Sequence, residues 1–212
     1  MKKNRRMKLV NLIKEHIKNN AKEYIIVTLI FIIGIFAGVF FLNNMQEVPK
    51  TDVTNYLNNF ITKLKENQNL DMIGLFKNSI MQNLILGVVI WFFGTTVIGI
   101  PIVFGLVLYR GFCLGYTIST TILVLGLTKG LTFSIIALLI QNILFIPAIL
   151  ALAVSGFKLY KSIIKDKRKE NIKLEILRHT IFSLIMLILL IISAIIEIFI
   201  STNILCKIIK YF

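Results

Sequence analysis

The chain has 212 residues, of which 57% are hydrophobic and only 16% are charged, and its mean hydropathy is +0.83. A soluble domain is about a quarter charged, so this composition excludes an ordinary water-soluble protein and indicates a membrane protein. The net charge of +14 does not predict nucleic-acid binding, because the basic residues form blocks outside the apolar segments and lack a groove-reading pattern. Such blocks are typical of membrane orientation and of contact with anionic lipids.

Residues 1–23 form a basic leader, with eight lysines and arginines against Glu15 and Glu23. Its apolar residues recur at three- and four-residue steps, so a helix here would carry a narrow apolar stripe flanked by lysines. Two interpretations stay open: a helix lying on an anionic membrane surface, or a solvated tail held near the membrane by the next segment.

The first predicted span is Tyr24 to Leu42, whose 19 residues are enough to cross a hydrocarbon core of about 30 Å. No small-x-small cleavage site follows it, so we predict a retained helix and not a signal peptide. Gly34-Ile-Phe-Ala-Gly38 is a GxxxG motif, which is typical of close helix–helix contact but also occurs by chance in apolar sequence.

Residues 43–79 form a polar loop whose four basic and four acidic residues balance. After Pro49, apolar residues recur at helical spacing and predict an amphipathic helix of about four turns, with Thr51 or Asp52 as the N-cap. Its apolar face comprises Val53, Tyr56, Leu57, Phe60, Ile61 and Leu64. This face rests either on the bilayer and the protein's own helices, or on a partner outside the membrane.

Four more spans are predicted downstream. They run from Leu84 to about Leu108, from Gly111 to about Leu127, from Leu131 to Phe157, and from His179 or Thr180 to about Leu205. The turn between the second and third spans falls at Pro101 or at Arg110, with a broken or re-entrant helix between them as a further possibility.

Lysine and arginine predict the orientation. The leader holds eight of them, the loop 158–178 holds eight against three acids, and the loop 43–79 holds four. With five crossings, the leader, Arg110 and the loop 158–178 lie on one side, which must be the cytoplasm. We therefore predict an all-α polytopic bundle of about five transmembrane helices, with a cytoplasmic N-terminus and an amphipathic helix in the first exterior loop. Residues 24–205 form one membrane domain, and 206–212 are a short exterior tail.

Glu197 is the only acid in the last apolar span, and Ser193 and Ser201 lie on the same helix face. A lone acid at this depth usually faces protein or an aqueous cavity. We interpret it as a protonated, hydrogen-bonding acid that fastens this helix to the bundle, with a proton or cation relay as the alternative.

Two adjacent amides, Gln141 and Asn142, lie inside the fourth predicted span, one to two turns before Pro147. They are predicted to satisfy backbone carbonyls or to hydrogen-bond between helices, and lining a substrate path is the alternative. Arg110 is predicted to reach the cytoplasmic surface from the end of a span. Hinge or packing roles are predicted for Gly94, Gly99, Pro101, Gly111, Gly115 and Pro147.

No catalytic constellation is visible, so the chain is predicted not to be an enzyme and to need no cofactor. His16 and His179 lie in or beside the basic segments without metal-ligand spacing, and hydrolase, metalloprotease and nucleotide-binding motifs are absent from the sequence. Cys113 and Cys206 are predicted near opposite membrane faces and are interpreted as small apolar residues, not as a disulfide.

The order and spacing of several phrases over roughly residues 8–205 resemble the stage II sporulation protein M family. The phrases are Trp91-Phe-Phe-Gly94, Ile98-Gly-Ile-Pro101, Arg110-Gly-x-x-x-Gly115-Tyr116, Gln141-Asn-Ile-Leu-Phe-Ile-Pro147-Ala148 and Ala194-Ile-Ile-Glu197-Ile-Phe. The chain departs from the family pattern where a proline would precede the Gln-Asn pair and another would follow the last-span acid. Ile140 and Ser201-Thr202 stand there instead.

The resemblance implies a scaffold in the mother-cell membrane during endospore engulfment. Such a scaffold would recruit two peptidoglycan-degrading partners, stage II sporulation proteins D and P, through the face that includes Val53, Tyr56, Leu57, Phe60 and Leu64. Anionic lipids are further expected partners, and a homo-oligomer is compatible with the sequence. The alternative function is translocation of a small solute, proton or ion along Glu197, Gln141 and Asn142.

Overall fold

The computed structural model describes residues 18, 20–65, 72–165, 172–201 and 204. The helices in these ranges are α1 (Ala21–Asn43), α2 (Glu47–Lys65), α3 (Met72–Gly94), α4 (Ile100–Leu125), α5 (Leu127–Lys165) and α6 (Ile172–Ile196), which continues into a π-helix at Glu197–Ser201. All but α2 and the π-helix are long and apolar enough to contain a membrane span. The predicted polytopic all-α bundle is confirmed. Most of the leader and the tail 206–212 lie outside the described residues.

Each spanning helix contributes at least one fully buried aliphatic side chain to the core of the bundle. These residues are Val27, Ile90, Val103, Leu152 and Leu190. Because lipid is as apolar as leucine, such side chains hold helices together by close packing and not by escape from water.

Two GxxxG motifs bring α1 and α4 into backbone contact. A methyl group at Gly34 would clash with the carbonyl of Leu108, and one at Gly38 would clash with the carbonyl of Phe112. A methyl group at Gly111 would likewise clash with the carbonyl of Phe31, and one at Gly115 would clash with the carbonyl of Ile35. The contacts advance together along both chains, so α1 and α4 run parallel. The predicted packing roles of Gly111 and Gly115 therefore correspond to a close helix crossing within the chain.

The second span was predicted from Leu84 to about Leu108 and the third from Gly111 to about Leu127. The boundary between these two predicted spans is wrong. Helix α3 ends at Gly94, and α4 begins at Ile100 with Pro101 in its first turn. The hydroxyls of Thr95 and Thr96 donate to nearby α3 carbonyls, which satisfies groups at the helix end. Of the two predicted turn positions, Pro101 is therefore near the turn and Arg110 is not.

Gly99 caps the start of α4, where a methyl group would clash with the carbonyl of Phe93. Gly94 allows α3 to approach α5, because a methyl group there would lie 3.2 Å from the Cα of Gly156. Pro147 lies inside the 39-residue α5, which continues as a helix on both sides of this proline. At 1.5 Å per residue α5 is about 58 Å long and exceeds a hydrocarbon core of about 30 Å.

The two basic segments meet at one end of the bundle. The Nζ atom of Lys161, near the end of α5, lies 2.8 Å from Oε1 of Glu23 at the start of α1. This contact agrees with the predicted placement of the leader and the loop 158–178 on the same side of the membrane. Both Glu23 and Lys161 lie in the described parts of these two segments.

Helix α2 begins at Glu47, four or five residues before the predicted N-cap at Thr51 or Asp52. The hydroxyl of Thr51 donates to the carbonyl of Glu47, so Thr51 lies inside the helix, and Pro49 occupies its first turn, where a missing N–H is tolerated. Ile61 is buried against Phe133 of α5, with Leu57 beside it. Helix α2 is therefore fixed to the ends of α4 and α5 that lie away from the basic segments.

Candidate functional site

Arg110 lies in the middle of α4, and its predicted position at the cytoplasmic end of a span is wrong. Ten residues, or about 15 Å, separate it from the start of the helix at Ile100. Leu108, one half-turn earlier, contacts Gly34 near the middle of α1. An arginine in the middle of a spanning helix usually faces protein or a water-filled cavity.

The guanidinium of Arg110 is held over an aromatic ring. Its Cζ atom lies 5.0 Å from the centroid of Phe145 on α5, a cation–π geometry. Its Nε atom is buried and has no hydrogen-bond partner among the described residues. Buried guanidinium donors are normally satisfied, so this arginine is only partly compensated within the chain.

A small cavity beside Arg110 contains the other polar groups of this region. Its volume is about 120 Å³, and its lining includes Cys113, Thr117 and Asn142 together with Phe31 of α1. Asn142 thus lies beside Arg110, a neighbour that the sequence did not predict. The side chain of Gln141 lies outside the described part of the structure, as does Cys206.

Glu197 interacts electrostatically with Arg110, but it accepts its hydrogen bond from another residue. The hydroxyl of Ser79 on α3 donates to its carboxylate at 2.5 Å, and Glu197 is absent from the lining of the cavity that contains Asn142. The hydrogen bond agrees with the predicted role of a structural acid that fastens the last helix. Ser193, one turn earlier, is fully buried, and the side chain of Ser201 is outside the described residues.

A ladder of polar contacts joins α3 to the antiparallel α6. Besides the Ser79–Glu197 bond, Asn83 Nδ2 donates to the carbonyl of Leu190 at 3.2 Å, and Trp91 Nε1 donates to the Thr180 hydroxyl at 3.3 Å. We call these three contacts the α3–α6 seam. Sequence reasoning missed Ser79 and Asn83, although their four-residue spacing with Gly87 and Trp91 marks one helix face.

The seam ends in a buried histidine, His179, which is only 3% exposed. Its Nδ1 lies 2.9 Å from the Ser155 hydroxyl, and its Nε2 lies 3.4 Å from the carbonyl of Trp91. Because a carbonyl only accepts, we assign the proton to Nε2, and Nδ1 then accepts from Ser155. His179 thereby links α3, α5 and α6, a role that its position beside the basic loop did not predict.

The predicted partner face on α2 divides into a covered part and an open part. Leu57 packs beside Ile61 against the bundle, and Val53 is half-buried. Tyr56 is 77% exposed and Phe60 is 38% exposed. The side chain of Leu64 lies outside the described residues. The open part is thus an aromatic pair on a helix that Leu57 and Ile61 hold to the bundle.

Within the described ranges, no group of three or more His, Cys, Asp or Glu side chains is placed to bind a metal ion. The groups present are two intramembrane ionisable residues, a buried histidine and an exposed aromatic pair. They are suited to holding helices together and to contacting other proteins.

The sequence profile of the family described as stage II sporulation protein M matches residues 27–202. No curated protein and no solved structure matches the chain. The matched region runs from α1 into the segment that follows the π-helix, and so includes every helix of the bundle. The chain is a multi-pass membrane protein associated with sporulation, and it belongs to the stage II sporulation protein M family.

Proposed function

We propose that the protein is a non-enzymatic membrane scaffold that recruits peptidoglycan-degrading enzymes during endospore formation. Its partners would be stage II sporulation proteins D and P, and its place the mother-cell side of the septal and engulfing membrane. Family membership supports a role in sporulation. The observation that carries the scaffold function is helix α2, which is fixed to the bundle and exposes an aromatic pair.

The anchoring of α2 matters because a scaffold must present its binding residues in a fixed position. Leu57 and Ile61 pack against α4 and α5, while Tyr56 and Phe60 occupy the neighbouring part of the helix surface. Tyrosine and phenylalanine are enriched at the centres of protein interfaces, where their large rings lose little conformational freedom on binding. The loop 43–79, which contains α2, has four basic and four acidic residues, so this end of the bundle carries no net charge.

Phe60→Asp tests the proposal. A charge in the middle of an apolar contact is strongly unfavourable, so we expect a loss of hydrolase recruitment of at least about tenfold. Recruitment is measured in sporulating cells by localisation of a fluorescent hydrolase and by co-purification in mild detergent.

Asn55→Asp is the matched control, because it adds the same charge to an exposed position on the polar side of α2. It should leave recruitment unchanged. Normal recruitment by an inserted, well-expressed Phe60→Asp protein would exclude the aromatic pair as the binding surface. If neither hydrolase co-purifies with the wild-type protein, the scaffold function itself is wrong.

A further inference from the structure

A long apolar groove lies between α4 and α5, next to the cavity that contains Arg110. Its volume is about 540 Å³, and its α5 side extends from Leu131 to Pro147, about 24 Å of helix. Ile135 and Ile143 on its lining are exposed, so the groove opens on the outer surface of the bundle. Leu114, Leu138, Asn142 and Ile146 line both spaces, so the groove and the polar cavity lie side by side.

The polar end of this groove carries a positive charge whose hydrogen bonds are incomplete. Arg110 contacts the Phe145 ring and interacts electrostatically with Glu197, but its buried Nε has no hydrogen-bond partner among the described residues. Thr117 and Asn142 add hydrogen-bonding groups beside it. An occupant that complements this end needs a negatively charged or strongly accepting group, and the rest of its surface must be apolar.

Depth distinguishes the classes of occupant. Arg110 lies about 15 Å from the start of α4 and about 22 Å from its end at Leu125, near the middle of this spanning helix. The phosphate of a phospholipid lies outside the hydrocarbon core, and its acyl chains would bring only methylene groups to the guanidinium. A membrane-spanning helix is different, because its sequence can place a carboxylate at any depth.

We propose that the groove between α4 and α5 binds a transmembrane helix of a partner protein that carries an aspartate or glutamate near its middle. The carboxylate pairs with Arg110, and apolar residues of the partner helix pack along Ile135 and Ile143. The inference rests on the proposed function, because it identifies where the membrane anchor of a recruited protein binds. It adds a second contact, inside the membrane, to the exterior contact through α2.

A synthetic helix serves as the probe. The full-length protein, with photoreactive benzoylphenylalanine in place of Ile135, is reconstituted into vesicles of phosphatidylcholine and phosphatidylglycerol. Leucine–alanine transmembrane peptides with lysine ends are added, carrying glutamate, glutamine or leucine at the central position. We expect the glutamate peptide to cross-link about tenfold more than the other two at equal peptide-to-lipid ratio.

Two variants test the site by independent routes. Arg110→Gln removes the charge and should abolish the preference for glutamate. Ile143→Trp fills the groove and leaves Arg110 in place, so it should reduce cross-linking of the glutamate peptide even if Arg110→Gln is poorly folded. Ile188→Trp, on an exposed position of α6, is the control for added bulk and should have no effect.

Equal cross-linking of all three peptides would overturn the proposal. Cross-links mainly to phospholipid would make the groove a lipid site, and cross-links between two copies of the chain would make it a self-association surface; either result also overturns it. No hydrolase is present, so failure here leaves recruitment through α2 intact. Failure of the Phe60→Asp test would conversely leave peptide binding unchanged.

Discussion

The two sides of the bundle treat intramembrane polar groups differently. At the α3–α6 seam, Asn83 and Trp91 each donate to a partner on the facing helix, and Ser79 does the same for Glu197. Between α4 and α5, Arg110 has an aromatic ring beneath it and a buried Nε without a hydrogen-bond partner in the described structure. One side is closed by hydrogen bonds between helices, and the other opens on a groove and leaves one guanidinium nitrogen of Arg110 without a hydrogen bond in the described structure.

This difference separates groups that build the fold from groups that are available for binding. A polar group whose partner lies within the chain stabilises the folded protein, and its removal costs stability. A charged group buried without adequate compensation destabilises the isolated chain, and a ligand that pairs with it recovers that free energy. Mutations on the two sides should therefore change the free energy of unfolding by different amounts and with different signs.

The largest effect is expected for His179→Ala, on the closed side. The change removes the imidazole that joins Ser155 to Trp91 and leaves a cavity between three helices. We expect the free energy of unfolding to fall by about 2–4 kcal/mol. Thermal unfolding in detergent, followed by circular dichroism, measures the loss as a lower Tm.

Leu184→Ala is its matched control, since it shortens an exposed side chain on the same helix. It should change the free energy of unfolding by less than about 1 kcal/mol, because no buried cavity forms. Equal losses for the two variants would show that His179 stabilises the bundle no more than an exposed leucine does, and its buried contacts would then not hold the three helices together.

A smaller effect is expected at Glu197. Glu197→Leu removes the acceptor of the Ser79 hydroxyl and should cost about 1 kcal/mol, the usual size of an interhelical hydrogen bond in a membrane. Glu197→Gln keeps a carbonyl oxygen for Ser79 and should retain most of the wild-type stability. The comparison is made by unfolding the two variants side by side in one detergent.

The same Glu197→Gln protein also tests translocation. If Glu197 is a structural acid, proton and solute flux in proteoliposomes should be equal for the wild-type protein and for Glu197→Gln. A clear loss of flux in a variant of normal stability would support the alternative in which Glu197 belongs to a transport path. Asn142, which lies beside Arg110, would then be the next residue to substitute.

Composition and periodicity predicted the membrane class, the five spans, the shared side of the basic segments and the helix on residues 53–64. These properties depend on averages over many residues. The span boundary at Arg110 was wrong because a single arginine inside a helix costs only about 2.5–3.5 kcal/mol on insertion scales, which a long apolar helix tolerates. A charge therefore does not mark a helix end by itself.

The α3–α6 seam was missed for a related reason. Ser79 and Asn83 follow Lys77 and a polar loop, so their segment resembles the end of that loop. Their role depends on which helix lies opposite, and one sequence does not contain that pairing. The GxxxG motif at Gly34 showed the same limit, since it predicted close contact but not that α4 would be the neighbour.

The smallest effect on stability is expected for Arg110→Met, on the open side. Methionine keeps an unbranched chain over Phe145 and removes a buried charge whose Nε has no hydrogen-bond partner in the described structure. Loss of the cation–π contact and relief of the desolvated charge oppose each other, so we expect the free energy of unfolding to change by less than about 1 kcal/mol. Arg178→Met, at an exposed arginine of α6, is the control for replacing an arginine with a methionine.

A loss of unfolding free energy as large as that of His179→Ala would mean that Arg110 is already satisfied in the isolated chain. The difference between the two sides of the bundle would then disappear. An unchanged or higher Tm would leave Arg110 as a charge retained at the expense of stability, which is what binding to an acidic transmembrane helix requires.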